Sequence, residues 1–270
     1  EVAPAARIII GEGPGSWVTP DLPGTVPFTV ELDHVGGGGF VDGFERSGYR
    51  DMARELREKG IDVRIRDLNF DRVIMRDVPG GHLSRESYAI AASVLEADAW
   101  INVPVAKTHG SKITCAMKNP FGILPGRHYG WNKSRGTLTN EGIPHSPRII
   151  DETFVDLLLI AKPDFVVVDM LAGSEGGAFG NTVKRANIIL AGAHPVATDL
   201  VAGKLMGFNP DDLEFAELAA RRDEGPGTYD AITVIGGDAT ALTSRWVKAG
   251  GDYHGEWSEH ANYGKGPRRW

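Results

Sequence analysis

Hydrophobic and polar positions along the chain follow two periodicities, one typical of strands and one typical of helices. The apolar run at residues 7–10 predicts a strand, and residues 44–59 have an apolar and a charged face that predict a helix ended by Gly60. Further strands are predicted at 61–68, 99–106, 164–169, 186–191 and 231–235, and further helices at 84–97, 148–161, 195–206 and 211–222. This alternation favours an α/β fold with a mostly parallel sheet flanked by helices.

The alternation is interrupted between Lys107 and Pro147 by an irregular segment rich in glycine, proline and aromatic residues. Segments of this length within a compact domain are usually functional, and they connect to a rigid frame that positions them. We therefore predict a single α/β domain over residues 1–242, with a functional loop inserted at 107–147 at the carboxyl edge of the strands. Residues 243–270 are predicted to form an irregular flap packed on the same domain.

Composition and charge exclude several classes of function. The 270 residues include 36 acidic and 29 basic side chains, for a net charge of −7, and no long basic run occurs, so nucleic acid is not expected as a partner. No apolar stretch has the length that spans a bilayer, which predicts a soluble protein. The only cysteine, Cys115, can form neither a disulfide within the chain nor a cysteine-ligated cluster.

The chemically most informative segment runs from Asn102 to Gly126. If the strand continues past Pro104, Lys107 and His109 project to the same side near its carboxyl end, where open α/β sheets bind ligands. A following turn brings Lys118 and Asn119 close to them. Two lysines and a histidine without an adjacent run of acids predict an anion site, or a proton-transfer site if burial lowers a lysine pKa. Solvated lysines and a histidine that only packs are the alternative.

Two acidic residues and three histidines complete the candidate site. Asp169 is predicted to end a strand at the ligand edge, and Glu175 lies in a second glycine-rich loop, so either could act as a base or as a metal ligand. His109, His128 and His145 could supply imidazole ligands to a transition metal, with one of these carboxylates. The spacing of these residues leaves the identity of the metal, and its presence, open.

Several short motifs resemble the prokaryotic family catalogued as domain of unknown function 362, over residues 40–240. They are Ser47-Gly-Tyr49, Ile101-Asn-Val-Pro104, Lys107-Thr-His109, Lys118-Asn119, Phe121-Gly122, Pro125-Gly126, Val168-Asp169, Glu175-Gly176 and Pro195-Val-Ala-Thr-Asp199. Members of this family are often exported by the twin-arginine route, and some carry a ferredoxin-type cluster domain. The resemblance therefore implies export and redox chemistry, although this chain lacks the cysteines that would hold such a cluster.

A looser resemblance concerns Gly110, Lys118, Pro125-Gly126 and a following histidine. This pattern is similar to part of the lactate racemase family, in which a lysine carries a nickel-pincer nucleotide and a histidine helps to hold the nickel. The resemblance implies that Lys118 is a covalent attachment point for a cofactor. The spacing differs, and the Gly-Gly-x-Lys sequence of that family is absent.

Together these observations predict an oxidoreductase-like enzyme that acts on a small anionic or phenolic molecule, with or without a metal. Lys107 and Lys118 would hold the anionic oxygen, His109 would transfer a proton or bind metal, and Asn119 would orient the substrate. The alternative is a non-catalytic protein of the cell envelope that captures a metal or a small anion. Because the sequence begins at Glu1 rather than Met, we expect that a segment was removed from its front, either artificially or as a cleaved export signal. Of the two locations this leaves open, the periplasm is slightly favoured over the cytoplasm.

Overall fold

A computed structural model describes residues 6–13, 43–130, 133–134, 136–146, 148–177 and 182–249. The strands are β1 (Arg7–Glu12), β2 (Asp62–Asp67), β3 (Val73–Asp77), β4 (Ser87–Ala91), β5 (Ile101–Asn102), β6 (Val105–His109), β7 (Lys112–Thr114), β8 (Phe165–Glu175), β9 (Thr182–Lys184) and β10 (Ile188–Gly192). The α-helices are α1 (Gly43–Arg46), α2 (Tyr49–Glu58), α3 (Ala92–Leu95), α4 (Gly126–Tyr129), α5 (Ile149–Ile160), α6 (Pro195–Leu205), α7 (Glu214–Ala220) and α8 (Ala239–Leu242).

The chain forms two compact units, each assembled from separate stretches of sequence. Unit 1 comprises Glu1–Met75, Ala89–Ala97 and Phe121–Ile143, and unit 2 comprises Arg76–Tyr88, Asp98–Pro120 and Pro144–Trp270. Unit 1 contains the parallel pair of β1 and β2, and α2 packs against β2. In the same unit Asn69 Oδ1 accepts hydrogen bonds from the Gly126 amide, at 3.0 Å, and from the Lys133 ammonium group. These bonds fix the segment around α4 within unit 1.

Unit 2 is built on a six-stranded mixed sheet in which β8 pairs with four other strands. β5 and β6 lie parallel to β8, β9 and β10 lie antiparallel to it, and β7 returns antiparallel to β6. The register shifts between Val105, which pairs with Asp169, and Lys107, which pairs with Ser174. β8 therefore bulges between Asp169 and Ser174, and Asp169 Oδ1 accepts a hydrogen bond from the Leu171 amide there, at 2.8 Å.

One face of this sheet is buried and the other is largely open. Val166, Val168 and Met170 of β8 have no exposed surface, and α6 packs on both β8 and β10. Alternate residues point to the opposite face, where Phe165 and Ile189 keep 40% and 53% of their surface exposed. Unit 2 therefore has a helical layer on one side of its sheet and an apolar, accessible surface on the other.

The α/β class expected from the sequence is confirmed. Helices flank the sheet, and parallel pairs join β1 to β2 and both β5 and β6 to β8. The predicted elements at β1, β2, α5, α6 and β10 are present with shifted ends. No helix in the described ranges is long and apolar enough to cross a membrane. The flap predicted over residues 243–270 is described only as far as Ala249, and the rest of it lies outside the described residues.

Two predicted elements are wrong. Residues 84–97, expected to be helical, contain β4 followed by the single turn α3, because Tyr88, Ala89 and Ile90 form a fully buried run that pairs with β3. A short apolar run of this kind has the composition of a strand and of a buried helix alike. The strand predicted at residues 231–235 is absent: Ala231 ends a 3-10 turn, residues 232–235 have no regular structure, and Ile235 is 90% exposed.

Candidate functional site

β6 presents Lys107 and His109 on the same face of the unit 2 sheet, as the sequence predicted. Ala106 and Thr108 alternate with them and are fully buried, whereas Lys107 and His109 are half-buried. This strand is short because Pro104 precedes it and lacks an amide hydrogen for the sheet. The basic side chains therefore lie at the carboxyl end of a strand whose opposite face is anchored in the core.

A tight turn after β7 carries Lys118 and is fixed by two buried polar side chains of unit 2. The carboxylate of Asp199, on α6, accepts hydrogen bonds from the amides of Ala116 at 2.6 Å and Met117 at 2.9 Å. Asn102 Nδ2 donates to the Ala116 carbonyl at 2.7 Å. Three hydrogen bonds thus fix the backbone immediately before Lys118, which limits the positions that its ammonium group can adopt.

Four basic side chains of unit 2 influence one another electrostatically at this place. Burial, and then the charge of Lys107, lower the pKa of Lys118 to about 8. Burial lowers the pKa of His109 well below its usual value, and Lys118, His145 and Lys107 lower it further. Each of these neighbouring groups is a base, so the site has the electrostatic character of an anion-binding site.

The protonation state of His109 follows from its hydrogen bonds. The Ser111 amide donates to His109 Nδ1 at 3.0 Å, and the Ser111 hydroxyl lies 2.8 Å from the same nitrogen. Nδ1 is therefore an acceptor without a hydrogen, and in the neutral ring the proton resides on Nε2. With its pKa lowered, His109 is a neutral imidazole that presents an N–H donor at Nε2.

Thr114 adds a polar group beside Lys107. The two residues are register partners across β6 and β7, so their side chains project to the same face of the sheet. Thr114 Oγ1 is buried and has no hydrogen-bond partner among the described residues. A buried hydroxyl without a partner is destabilising, and a ligand oxygen bound next to Lys107 would satisfy it.

Three other residues predicted for the site have structural contacts. Asn119 is exposed, and its Nδ2 donates to Asn102 Oδ1 at 2.7 Å, so it extends the network that holds the turn. Asp169 does not end a strand: β8 continues to Glu175, and the Asp169 side chain binds the bulge described above. Glu175 is buried and accepts a hydrogen bond from the Val247 amide at 2.9 Å, so it fastens the C-terminal segment to β8.

A family comparison agrees with the motifs around this site. The profile of the family described as Domain of unknown function (DUF362) matches residues 2–204 of the chain. The chain belongs to the DUF362 family. No curated protein and no solved structure is significantly similar to it. The DUF362 match includes β6, the Lys118 turn and Asp199, and therefore all of the basic cluster and the groups that hold its turn.

The metal centre expected from the sequence finds no support in the described part of this DUF362 protein. No group of three or more His, Cys, Asp or Glu side chains is arranged there to hold a metal ion. His128 lies on α4 of unit 1, and His109 lies on β6 of unit 2, where His145 is close enough to lower the pKa of His109. The proton on His109 Nε2 also makes that nitrogen a donor rather than a ligand. The metal therefore stays a prediction from the sequence, and no chemical step is assigned to it.

Sequence reasoning missed the positioning roles of Asn102 and Asp199 and the buried hydroxyl of Thr114. Asn102 and Asp199 are 97 positions apart in the sequence and both contact the turn at Ala116. Their isolated polarity within apolar surroundings was the available signal, since a buried polar side chain requires a partner. Which partner it finds depends on the tertiary fold.

Proposed function

We propose that this protein is an enzyme that binds a small anionic or phenolic molecule in unit 2 and transfers a proton to or from it. The observation that carries the proposal is the cluster of Lys107, His109, Lys118 and His145, in which every base that affects His109 lowers its pKa. A cluster of lysine and histidine side chains binds a negatively charged oxygen through positive charge and N–H donors. Burial strengthens this attraction because it reduces the screening by water.

The residues differ in the chemistry that they offer. Lys118, with a pKa of about 8, exists in both protonation states near neutral pH and is suited to donate or accept a proton. The neutral His109 offers its Nε2–H as a hydrogen-bond donor to an oxygen on which negative charge develops. Lys107 supplies positive charge, and the Thr114 hydroxyl supplies one further polar contact. Asn102 and Asp199 are positioning residues that act through the turn.

Phenylacetate is a suitable binding probe because it combines a carboxylate with an apolar ring. We expect it to bind the wild-type protein in isothermal titration calorimetry at pH 7 and to bind Lys118→Met at least about ten-fold more weakly, the equivalent of one lost charge-assisted hydrogen bond. Lys59→Met is the matched control, since Lys59 is exposed at the end of α2 in unit 1. Equal affinity in Lys118→Met and the wild type would contradict the proposal.

The non-catalytic capture protein remains the second candidate, and the half-buried setting of Lys107 and His109 on an open sheet favours it. The two functions differ in turnover. An enzyme that moves protons should accelerate the exchange of the methylene hydrogens of phenylpyruvate, which its ketone makes more acidic, for deuterium in D₂O. Loss of the proton NMR signal reports the exchange, and Lys118→Met should return it to the uncatalysed rate. Binding without exchange would favour capture. Redox chemistry and export stay predictions that rest on the family resemblance, and a metal stays a prediction that rests on the histidines and carboxylates of the sequence.

A further inference from the structure

We infer that the anion bound at the basic cluster is amphipathic, with an apolar body that lies along the open face of the unit 2 sheet. This inference rests on the proposed function, because it assumes that the charged end of the molecule binds at Lys107 and Lys118. It adds the chemical class of the molecule, which the basic residues by themselves do not determine.

The first observation is a change of character along one chain segment. From residue 101 to residue 109, exposed or half-buried positions alternate with buried ones. The outward positions begin as apolar side chains and end as basic ones. They are Ile101, Val103, Val105, Lys107 and His109, of which the first three are 59%, 57% and 39% exposed. A single stripe on one face of the sheet therefore runs from an apolar surface to the basic cluster.

The second observation is that neighbouring strands widen the apolar part of this stripe. The register pairs Ile101 with Phe165, and it pairs Asp169 with both Val105 and Ile189, so these side chains share one face. Contiguous exposed apolar surface on a sheet is a common feature of binding sites. A water-exposed apolar surface of this kind becomes stable when it is covered by an apolar group.

Charge determines the orientation and the kind of occupant. Asp169 lies within the apolar part of the face and repels an anionic group there, whereas Lys107 and the neighbouring Lys118 attract one. The negative end of the occupant therefore belongs at the Lys107 end, and its apolar body extends toward Val103. Four residues of strand separate these positions, or about 13 Å, and an eight-carbon chain covers the larger part of that distance.

The test is a series of straight-chain carboxylates, from acetate to octanoate, titrated into the full chain. Burial of a methylene group on all sides increases affinity about four-fold, and contact on one side gives roughly two-fold, so octanoate should bind about 60-fold more tightly than acetate. Val105→Thr preserves shape but adds a hydroxyl on the apolar stripe. It should weaken octanoate binding about three-fold or more and leave acetate binding unchanged. Ile235→Thr, at an exposed apolar residue outside any strand, should change neither.

The outcomes separate the two proposals. In one outcome, acetate and octanoate bind with equal affinity, and Lys118→Met abolishes the binding of both. That result would overturn the inference that the ligand is amphipathic and would support the anion site. Absence of binding by every carboxylate would overturn both. Octanoate binding that survives Lys118→Met, or that is unaffected by Val105→Thr, would place the chain elsewhere on the protein and overturn the inference.

Discussion

Replacement of Lys118 by methionine should make the protein more stable while it removes the function. The ammonium group is packed among protein atoms close to a second lysine, and its pKa falls from 10.5 to about 8. A lysine whose pKa is lowered in the folded state destabilises that state wherever it must be charged. At pH 7 the difference amounts to at most about 3 kcal/mol, and less to the degree that water reaches the half-buried side chain.

The lowered pKa of Lys118 determines how the stability difference between the wild type and Lys118→Met should change with pH. Between pH 8 and 10.5 the unfolded chain binds a proton that the folded chain has released, so wild-type stability rises with pH in this window relative to the variant. Urea unfolding at pH 7 should show Lys118→Met more stable by about 1–3 kcal/mol, and at pH 10 the advantage should shrink below about 1 kcal/mol. Lys59→Met should stay within about 0.5 kcal/mol of the wild type at both values of pH.

A variant that is equally stable at pH 7, or an advantage that persists unchanged to pH 10, would refute this reasoning. Either result would mean that the pKa of Lys118 is not lowered in the folded protein, and in the second case the gain would come from packing of the methionine side chain. The sequence alone favours that expectation, since a lysine in a glycine-rich loop is normally exposed and contributes little to stability. Burial of the turn against Asn102 and Asp199 changes the expectation.

Three further predictions concern single side chains. Asp156 accepts hydrogen bonds from the amides of Leu83, Ser84 and Arg85 and from the Tyr88 hydroxyl. Asp156→Asn should therefore lower the free energy of unfolding, measured by urea denaturation, by about 2–4 kcal/mol. A loss under about 0.5 kcal/mol would contradict this role. Burial raises the pKa of Asp199 to about 7, so the folded protein keeps a proton that the unfolded chain releases above about pH 4. The free energy of unfolding of the wild type should therefore fall between pH 4 and 7 relative to that of Asp199→Asn. If the two proteins show the same pH dependence of stability, the raised pKa is contradicted. If Lys118 acts by its charge, the intact mass should equal that of the sequence, whereas an adduct on the Lys118 peptide would support a covalent cofactor.

The parts of the site that share one chain segment could be predicted from the sequence, and the parts that depend on tertiary contacts could not. Lys107 and His109 are two residues apart on a strand, so their common face follows from the strand period alone. The strand that carries Asp169 could not be delimited, because β8 continues through a bulge that only its neighbours β6 and β9 reveal. The Gly-rich loop suggested that Glu175 was available, whereas its carboxylate binds a segment 72 residues away.

The elements of the fold were likewise predictable where the signal lies within one segment and unpredictable where it depends on tertiary contacts. Long periodic segments such as α5 and α6 are predictable because a 3.6-residue period over ten or more residues is distinctive. The apolar run at residues 87–91 is mistaken for part of a helix because five residues cannot distinguish the two periods. Its pairing with β3, which the sequence does not indicate, decides the outcome.

The titration of the Lys118 side chain, followed by NMR of protein labelled with ¹³C at lysine Cε, tests the central claim most directly. Assignment comes from the signal that disappears in Lys118→Met. We predict a pKa near 8 for the free protein and a higher value with saturating phenylacetate, because a bound carboxylate stabilises the charged form. A pKa near 10.5 in the free protein, or a pKa that phenylacetate leaves unchanged, would contradict an anion-binding site built around Lys118.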